Sequence, residues 1–165
     1  MRTKIRIVFA AIAVACAAMM LYGIYYLQEE LGLEPCPMCI LQRAALIAIG
    51  ATALVAAIHG PRAWGLRIYS GLIVVVALLG GGVAIRHSYL QHFPPKMETC
   101  GSDLYFVLGN FPLAQALPKI FAGTGSCSKV DWKFLGLSIP EWTLVWFAIF
   151  AAAAIWAVYA NRARK

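Results

Sequence analysis

The sequence predicts an all-α integral membrane fold: a bundle of four transmembrane helices with a long loop on one side. Three observations predict it. The chain is 62% hydrophobic and only 13% charged over 165 residues, against roughly 45–50% apolar and roughly 25% charged in soluble domains. The apolar residues gather into four runs, each supplying the roughly 20 residues that a helix needs to cross the hydrocarbon of a bilayer. The eight prolines all lie outside the middles of those runs, as helices require, because proline breaks the i to i−4 ladder. The whole chain reads as one membrane domain.

The first span is expected over about residues 5–27. Arg2, Lys4 and Arg6 precede it, and Ala-Val-Ala-Cys16 lies inside it, which resembles a signal peptide or a poor lipoprotein box. The apolar run continues to Leu27, past any such cleavage site, so a retained span is the better reading. A short loop, about residues 28–39, leads to a second span over about residues 40–58. A basic link carrying Arg62 and Arg67 leads to a third span over about residues 66–87. Gly80-Gly81-Gly82 interrupts that run. In lipid, small residues let helices approach closely, so a packing site is expected there rather than a hinge.

A long loop follows, about residues 88–139. Within it Leu113, Leu117, Ile120 and Phe121 recur at helical spacing, which predicts a short helix lying on the membrane surface, interrupted by Pro118. The fourth span is expected over about residues 140–159. Ser138-Ile139-Pro140-Glu141 has the pattern of a capping box opening it.

Charge sets the orientation. Arg2, Lys4, Arg6, Arg62, Arg67, Arg162, Arg164 and Lys165 fall on one side, and all seven acidic residues fall on the other. The positive-inside rule makes the basic side cytoplasmic, with both termini there. Tyr22, Tyr25, Tyr26, Trp142 and Trp146 mark the outer rim, and Trp64, Tyr69, Trp156 and Tyr159 the inner one. The net charge of +7 is spread over the chain rather than gathered on one polar face, which argues against a nucleic-acid partner.

There are five cysteines. Cys16 falls mid-membrane, where a thiol behaves as a small apolar residue, and no role is assigned to it. Cys36, Cys39, Cys100 and Cys127 fall outside, in keeping with an oxidising compartment. The Cys-x-x-Cys spacing favours pairing Cys36 with Cys39, leaving Cys100 with Cys127. As inert staples the second pair is plausible, but the first closes too small a loop to constrain much unfolded chain. A zinc site built from all four lacks the usual second Cys-x-x-Cys, so no metal is expected. Redox exchange remains. With Pro37 opening the second helix, Cys39 lies in its first turn, where backbone N–H groups and the helix dipole favour a thiolate. Arg43 lies one turn further on the same face, about 6 Å along the axis. A guanidinium at the membrane edge is a functional candidate, whose alternative is snorkelling to the headgroups. Arg86 and His87, at the outer end of the third span, are expected at similar depth, with His87 placed to bond a ligand near Cys39 or to serve only as an interface residue. The sequence holds no haem, iron–sulfur or nucleotide motif, so a lipid-soluble two-electron acceptor, a quinone, is the simplest destination for the electrons.

At this point the chain resembles the DsbB family of bacterial disulfide bond formation proteins. The resemblance rests on four spans, Cys36-x-x-Cys39 followed by Arg43, His87-Ser88-Tyr89-Leu90-Gln91, Cys100, and Cys127-x-x-x-x-Trp132-x-Phe134-Leu135-Gly136-Leu137-x-x-Pro140-x-Trp142. One departure stands: Gln42 precedes Arg43 where the best-known member has an acidic residue. The resemblance implies an inner-membrane thiol:quinone oxidoreductase. A reduced periplasmic DsbA-like oxidase would attack a Cys100–Cys127 disulfide at Cys100. Cys127 would then attack Cys36, and Cys39 would hand electrons to a quinone held by Arg43 and His87. The competing class is a disulfide-stapled four-helix scaffold without turnover, which has no need of Cys36, Cys39 and Arg43 together at a span edge. A vitamin K epoxide reductase-like enzyme shares four helices and a Cys-x-x-Cys beside quinone, but arranges its cysteines differently along the chain.

Overall fold

The computed structural model describes residues 2–33, 35–93 and 132–162. Cys100, Cys127 and the surface helix expected around residues 111–121 lie outside the described residues. Four long helices carry the fold: α1 (Arg2–Leu21), α2 (Pro37–His59), α3 (Ala63–His92) and α4 (Ile139–Arg162). All four are long and apolar enough to cross a membrane, as the composition requires.

The helices run past the ends expected of them. Hydropathy marks where lipid contact stops, whereas the hydrogen-bond ladder continues through the polar residues beyond. The first span continues as a π-helix over Tyr22–Glu30, where the backbone bonds reach five residues back, as Leu31 N–H does to Tyr26 O at 3.2 Å. α2 begins at Pro37, as the sequence expected, three residues before the apolar span, because Cys36 caps it and proline suits the first helical position. It ends on Gly60, whose left-handed φ of 57° returns its N–H to Ala56 O at 3.0 Å. α3 continues to His92.

Neighbours in sequence are neighbours in space. α3 packs most extensively on α4, α1 on α2 and α2 on α3, whereas α1 and α4 barely touch. The core runs down the middle through Phe9, Ile12, Ile49, Ile73, Phe147 and Phe150, all buried. Cys16 is buried with them, and a Cβ added at Gly50 would come within 3.1 Å of its Cβ, so it fills a close helix contact. Gly80 is the packing site expected within the glycine triplet. A Cβ there would meet the Phe147 ring at 2.6 Å and Ala45 Cβ at 3.0 Å, whereas Gly82 faces open space. The outer surface is apolar. Val14, Ile58, Leu78 and Leu79 are each about two-thirds exposed, a surface suited to lipid and not to water.

Two antiparallel two-residue strands, β1 (Lys133–Phe134) and β2 (Leu137–Ser138), form a hairpin that leads into α4. Its turn residues Leu135 and Gly136 both have positive φ, 51° and 84°, the primed-turn geometry of tight hairpins. Nothing in the hydropathy pattern pointed to it. The capping box at the start of α4 is one-sided: Ser138 N–H and its hydroxyl both donate to Glu141 Oε2, at 2.7 and 3.1 Å. The other carboxylate oxygen accepts from Ser88 Oγ at 3.2 Å, tying α4 to the end of α3.

Candidate functional site

Cys36 holds the start of α2. Its backbone is extended, and its sulfur accepts the N–H of Cys39 at 3.4 Å. The capping atom at this helix N-terminus is therefore a sulfur, and an anion there is favoured by the unpaired N–H groups and the dipole. The sequence placed that stabilisation on Cys39; the structure gives the capping bond to Cys36. The two sulfurs are 3.2 Å apart, with the Cys36 thiol donating to Cys39 Sγ. Cys36 is buried and Cys39 half-buried.

α3 brings His87 against this pair. The histidine is 3% exposed. Its Nε2 lies 3.7 Å from Cys36 Sγ, and its Nδ1 lies 3.2 Å from the Gln42 amide nitrogen. It is thus seated between Cys36 and Gln42, at the depth of the cysteine pair where the sequence expected it. Because Gln42 Nε2 can only donate, Nδ1 accepts and the proton is assigned to Nε2, facing the sulfur. Gln42 is itself 3% exposed. The sequence marked Gln42 only as a departure from a familiar pattern. Its pairing with His87 depends on the rotation of α2 against α3, which local spacing does not carry.

Arg43 points the other way, toward the first span. Its guanidinium donates to Gln28 Oε1, and Nη2 also donates to Gly23 O at 3.2 Å. Both acceptors belong to the π-helix, and π-helical insertions are frequent at functional sites. Arg43 is fixed to the bundle, so free snorkelling does not describe it. Arg86, one residue before His87, lies over the Tyr89 ring with 5.5 Å from guanidinium carbon to centroid.

These groups share one cavity of about 500 Å³. Cys36, Cys39, Gln42, Arg43 and His87 line its polar side, and Ala18, Met19, Met20 and Leu46 line its apolar side. The cavity lies along the seam where α1 and α4 barely touch. Aromatic residues line the part of the cavity next to the hairpin. Trp142 Nε1 donates to Phe134 O at 3.0 Å, and Tyr22, Trp132, Phe134 and Trp142 form a chain of ring contacts 5.9–6.4 Å apart. An apolar pocket with a few convergent polar groups is the usual form of a small-molecule site. Cys36 Sγ, Cys39 Sγ and a ring nitrogen of His87 all lie within 4.8 Å of one another. Of the sequence candidates, Cys36, Cys39, Arg43 and His87 meet at this cavity, while Cys100 and Cys127 fall outside the described residues.

Comparison with known proteins gives a consistent result. The family described as Disulfide bond formation protein DsbB matches residues 5–157. The Disulfide bond formation protein B of Aromatoleum aromaticum is 52% identical over 157 residues, covering 95% of this chain and 94% of that protein. That of Azoarcus sp. is 48% identical over 159 residues, covering 96% and 95%. That of Nitrosococcus oceani is 45% identical over 157 residues, covering 94% and 92%.

Proposed function

This chain belongs to the DsbB family, and from that membership we propose that it is a thiol:quinone oxidoreductase of the bacterial inner membrane. It reoxidises a periplasmic DsbA-like dithiol oxidase. The observation that carries the reading is that Cys36 and Cys39 open onto the same 500 Å³ cavity as Arg43 and His87. The residues fit a quinone: the walls are apolar, the space suits a ring with its first isoprenoid unit, and a guanidinium and an imidazole offer N–H donors to carbonyl oxygens.

In this reading Arg43 and His87 hold the quinone head group beside Cys39, and the aromatic end excludes water. The quinone, when bound, supplies a sink for two electrons and two protons. The remaining chemistry is thiolate attack on disulfides. The partner's thiolate attacks Cys100 of the Cys100–Cys127 disulfide, and Cys127 leaves. Cys127 attacks Cys36 of the Cys36–Cys39 disulfide and releases the Cys39 thiolate. The helix N-terminus and the Cys39 N–H stabilise negative charge at Cys36 whenever that sulfur is the leaving group. The partner's second thiol attacks its own sulfur in the mixed disulfide, so the partner leaves oxidised and the Cys100 thiolate is freed. Cys100 attacks Cys127 of the Cys36–Cys127 disulfide, which re-forms the Cys100–Cys127 bond and releases the Cys36 thiolate. Closure of Cys36 with Cys39 then gives up one electron pair, which the quinone would accept, and resets the protein.

The basic residues Arg6, Arg62 and Arg67 gather at one end of the bundle, where Arg6 Nε donates to Ala57 O at 2.8 Å. The cysteine cavity and Glu141 lie at the other end. That asymmetry supports cytoplasmic termini and periplasmic cysteines. The direct test follows quinone absorbance with purified protein, excess ubiquinone-1 and a reduced DsbA-like protein. Consumption by the wild type and none by Cys39→Ser or Cys100→Ser is the expected result. A wild type that reduces neither ubiquinone-1 nor a menaquinone analogue overturns the reading.

A further inference from the structure

The dithiol of this site has a third potential ligand beside it that electron transfer alone does not require. Cys36 Sγ is 3.2 Å from Cys39 Sγ and 3.7 Å from His87 Nε2, and the three donor atoms lie within 4.8 Å of one another. A tetrahedral cation with bonds of about 2.3 Å to sulfur and about 2.0 Å to nitrogen needs S–S near 3.8 Å and S–N near 3.5 Å. The sulfurs at 3.2 Å would have to part by roughly half an ångström, while Cys36 Sγ and His87 Nε2 at 3.7 Å are already close to the required spacing, changes within reach of side-chain rotation. Two thiolates and an imidazole are the donor set of a zinc site that leaves its fourth position open, and here the cavity adjoins it.

We propose that, when Cys36 and Cys39 are reduced, Cys36, Cys39 and His87 together bind a thiophilic divalent cation of the zinc class. The site differs from the four-cysteine arrangement considered from sequence, because its third ligand comes from α3. It exists only in the dithiol form, since a disulfide has no thiolate to offer. Binding displaces one proton from each thiol and oxidises nothing. Gln42 supplies the outer support. Its amide nitrogen lies 3.2 Å from His87 Nδ1. Turned over by 180°, its carbonyl accepts from Nδ1–H and frees the Nε2 lone pair for the metal, the outer-shell bond that metal-bound histidines regularly make. The consequence is regulatory: a bound cation ties up both sulfurs and arrests reoxidation until it is removed.

The test uses full-length protein in detergent carrying Cys16→Ala, Cys100→Ser and Cys127→Ser, so that only this pair of thiols remains. The protein is reduced with a phosphine, desalted without oxygen and titrated with Co²⁺. The expected result is one equivalent of Co²⁺ giving thiolate charge-transfer absorbance and the visible bands of a tetrahedral site, with release of two protons. The same preparation oxidised to the Cys36–Cys39 disulfide gives none. Gln42→Leu weakens binding by about tenfold or more, and His87→Ala weakens it further. Absence of the bands in the reduced protein overturns the proposal, as does undiminished binding in His87→Ala. Reduced and oxidised wild-type protein provide the same comparison if the cysteine substitutions impair folding. Because no electron acceptor is present, a negative result leaves the quinone reading untouched.

Discussion

His87 shows how one amide sets the chemistry of a buried imidazole. With Gln42 donating to Nδ1, the ring keeps its proton on Nε2 and turns it toward the Cys36 sulfur. Gln42→Leu removes the donor from a buried acceptor, which costs about 1–3 kcal/mol, and releases the tautomer. Ring ¹⁵N NMR of His87 is expected to change from the Nε2–H signature to a mixture. Gln42→Glu acts in the opposite sense: a carboxylate accepts, so the Nδ1–H signature is expected in place of Nε2–H. An unchanged nitrogen signature in both variants would show that Gln42 does not govern the ring. At this scale much of the cavity was legible. Cys36, Cys39 and Arg43 were read from spacing at a helix start, and His87 from depth in the third span. The bond between Gln42 and His87 joins residues 45 positions apart, and the one from Arg43 to Gln28 crosses to another helix. Neither distance leaves a trace in local pattern.

The elements are held by a few close contacts, and the glycine triplet separates them cleanly. Gly80 sits where Phe147 and Ala45 leave no room for a methyl group, so Gly80→Val forces α3 away from α4 and is expected to cost about 1–3 kcal/mol. Gly82 meets nothing within 4 Å, and Gly82→Ala is expected to be neutral or to gain up to about 1 kcal/mol from helix propensity. Thermal unfolding midpoints in one detergent compare the two; equal midpoints would remove Gly80 as the contact that sets the α3–α4 separation. Glu141 makes a parallel case, because its carboxylate serves both the first turn of α4 and Ser88 of α3. Glu141→Ala is expected to cost about 1–2 kcal/mol through the lost cap. The existence and order of the helices were legible because apolar length dominates composition. So were the starts of α2 and α4, from Pro37 and the Ser138–Glu141 pattern; the π-helical turn at Tyr22–Glu30 and the hairpin before α4 were not, since those are fixed by hydrogen bonds among polar and aromatic residues that hydropathy does not rank.

For the whole molecule, the decisive feature is an unequal bundle. Three of its four sequential or closing contacts are extensive, and the fourth, α1 on α4, is nearly absent. The cavity occupies that seam, and Ala18, exposed on α1, lines it. On the proposed function, a lipid-soluble acceptor would reach Cys39 sideways through this seam rather than past the Trp132, Phe134 and Trp142 rings. This assigns a specific consequence to bulk at the seam. Ala18→Trp is expected to raise the KM for quinone by about tenfold or more, the scale at which added volume in an apolar pocket is felt, with little change in kcat at saturating quinone. Thiol exchange with the partner oxidase, proposed to occur at Cys100, is expected to proceed at its usual rate. Val14→Trp places the same bulk one turn earlier on α1, at a position 68% exposed and outside the cavity lining, and is expected to leave KM unchanged. Equal effects of the two substitutions would point to a general disturbance of α1 and would mean that quinone does not enter between α1 and α4.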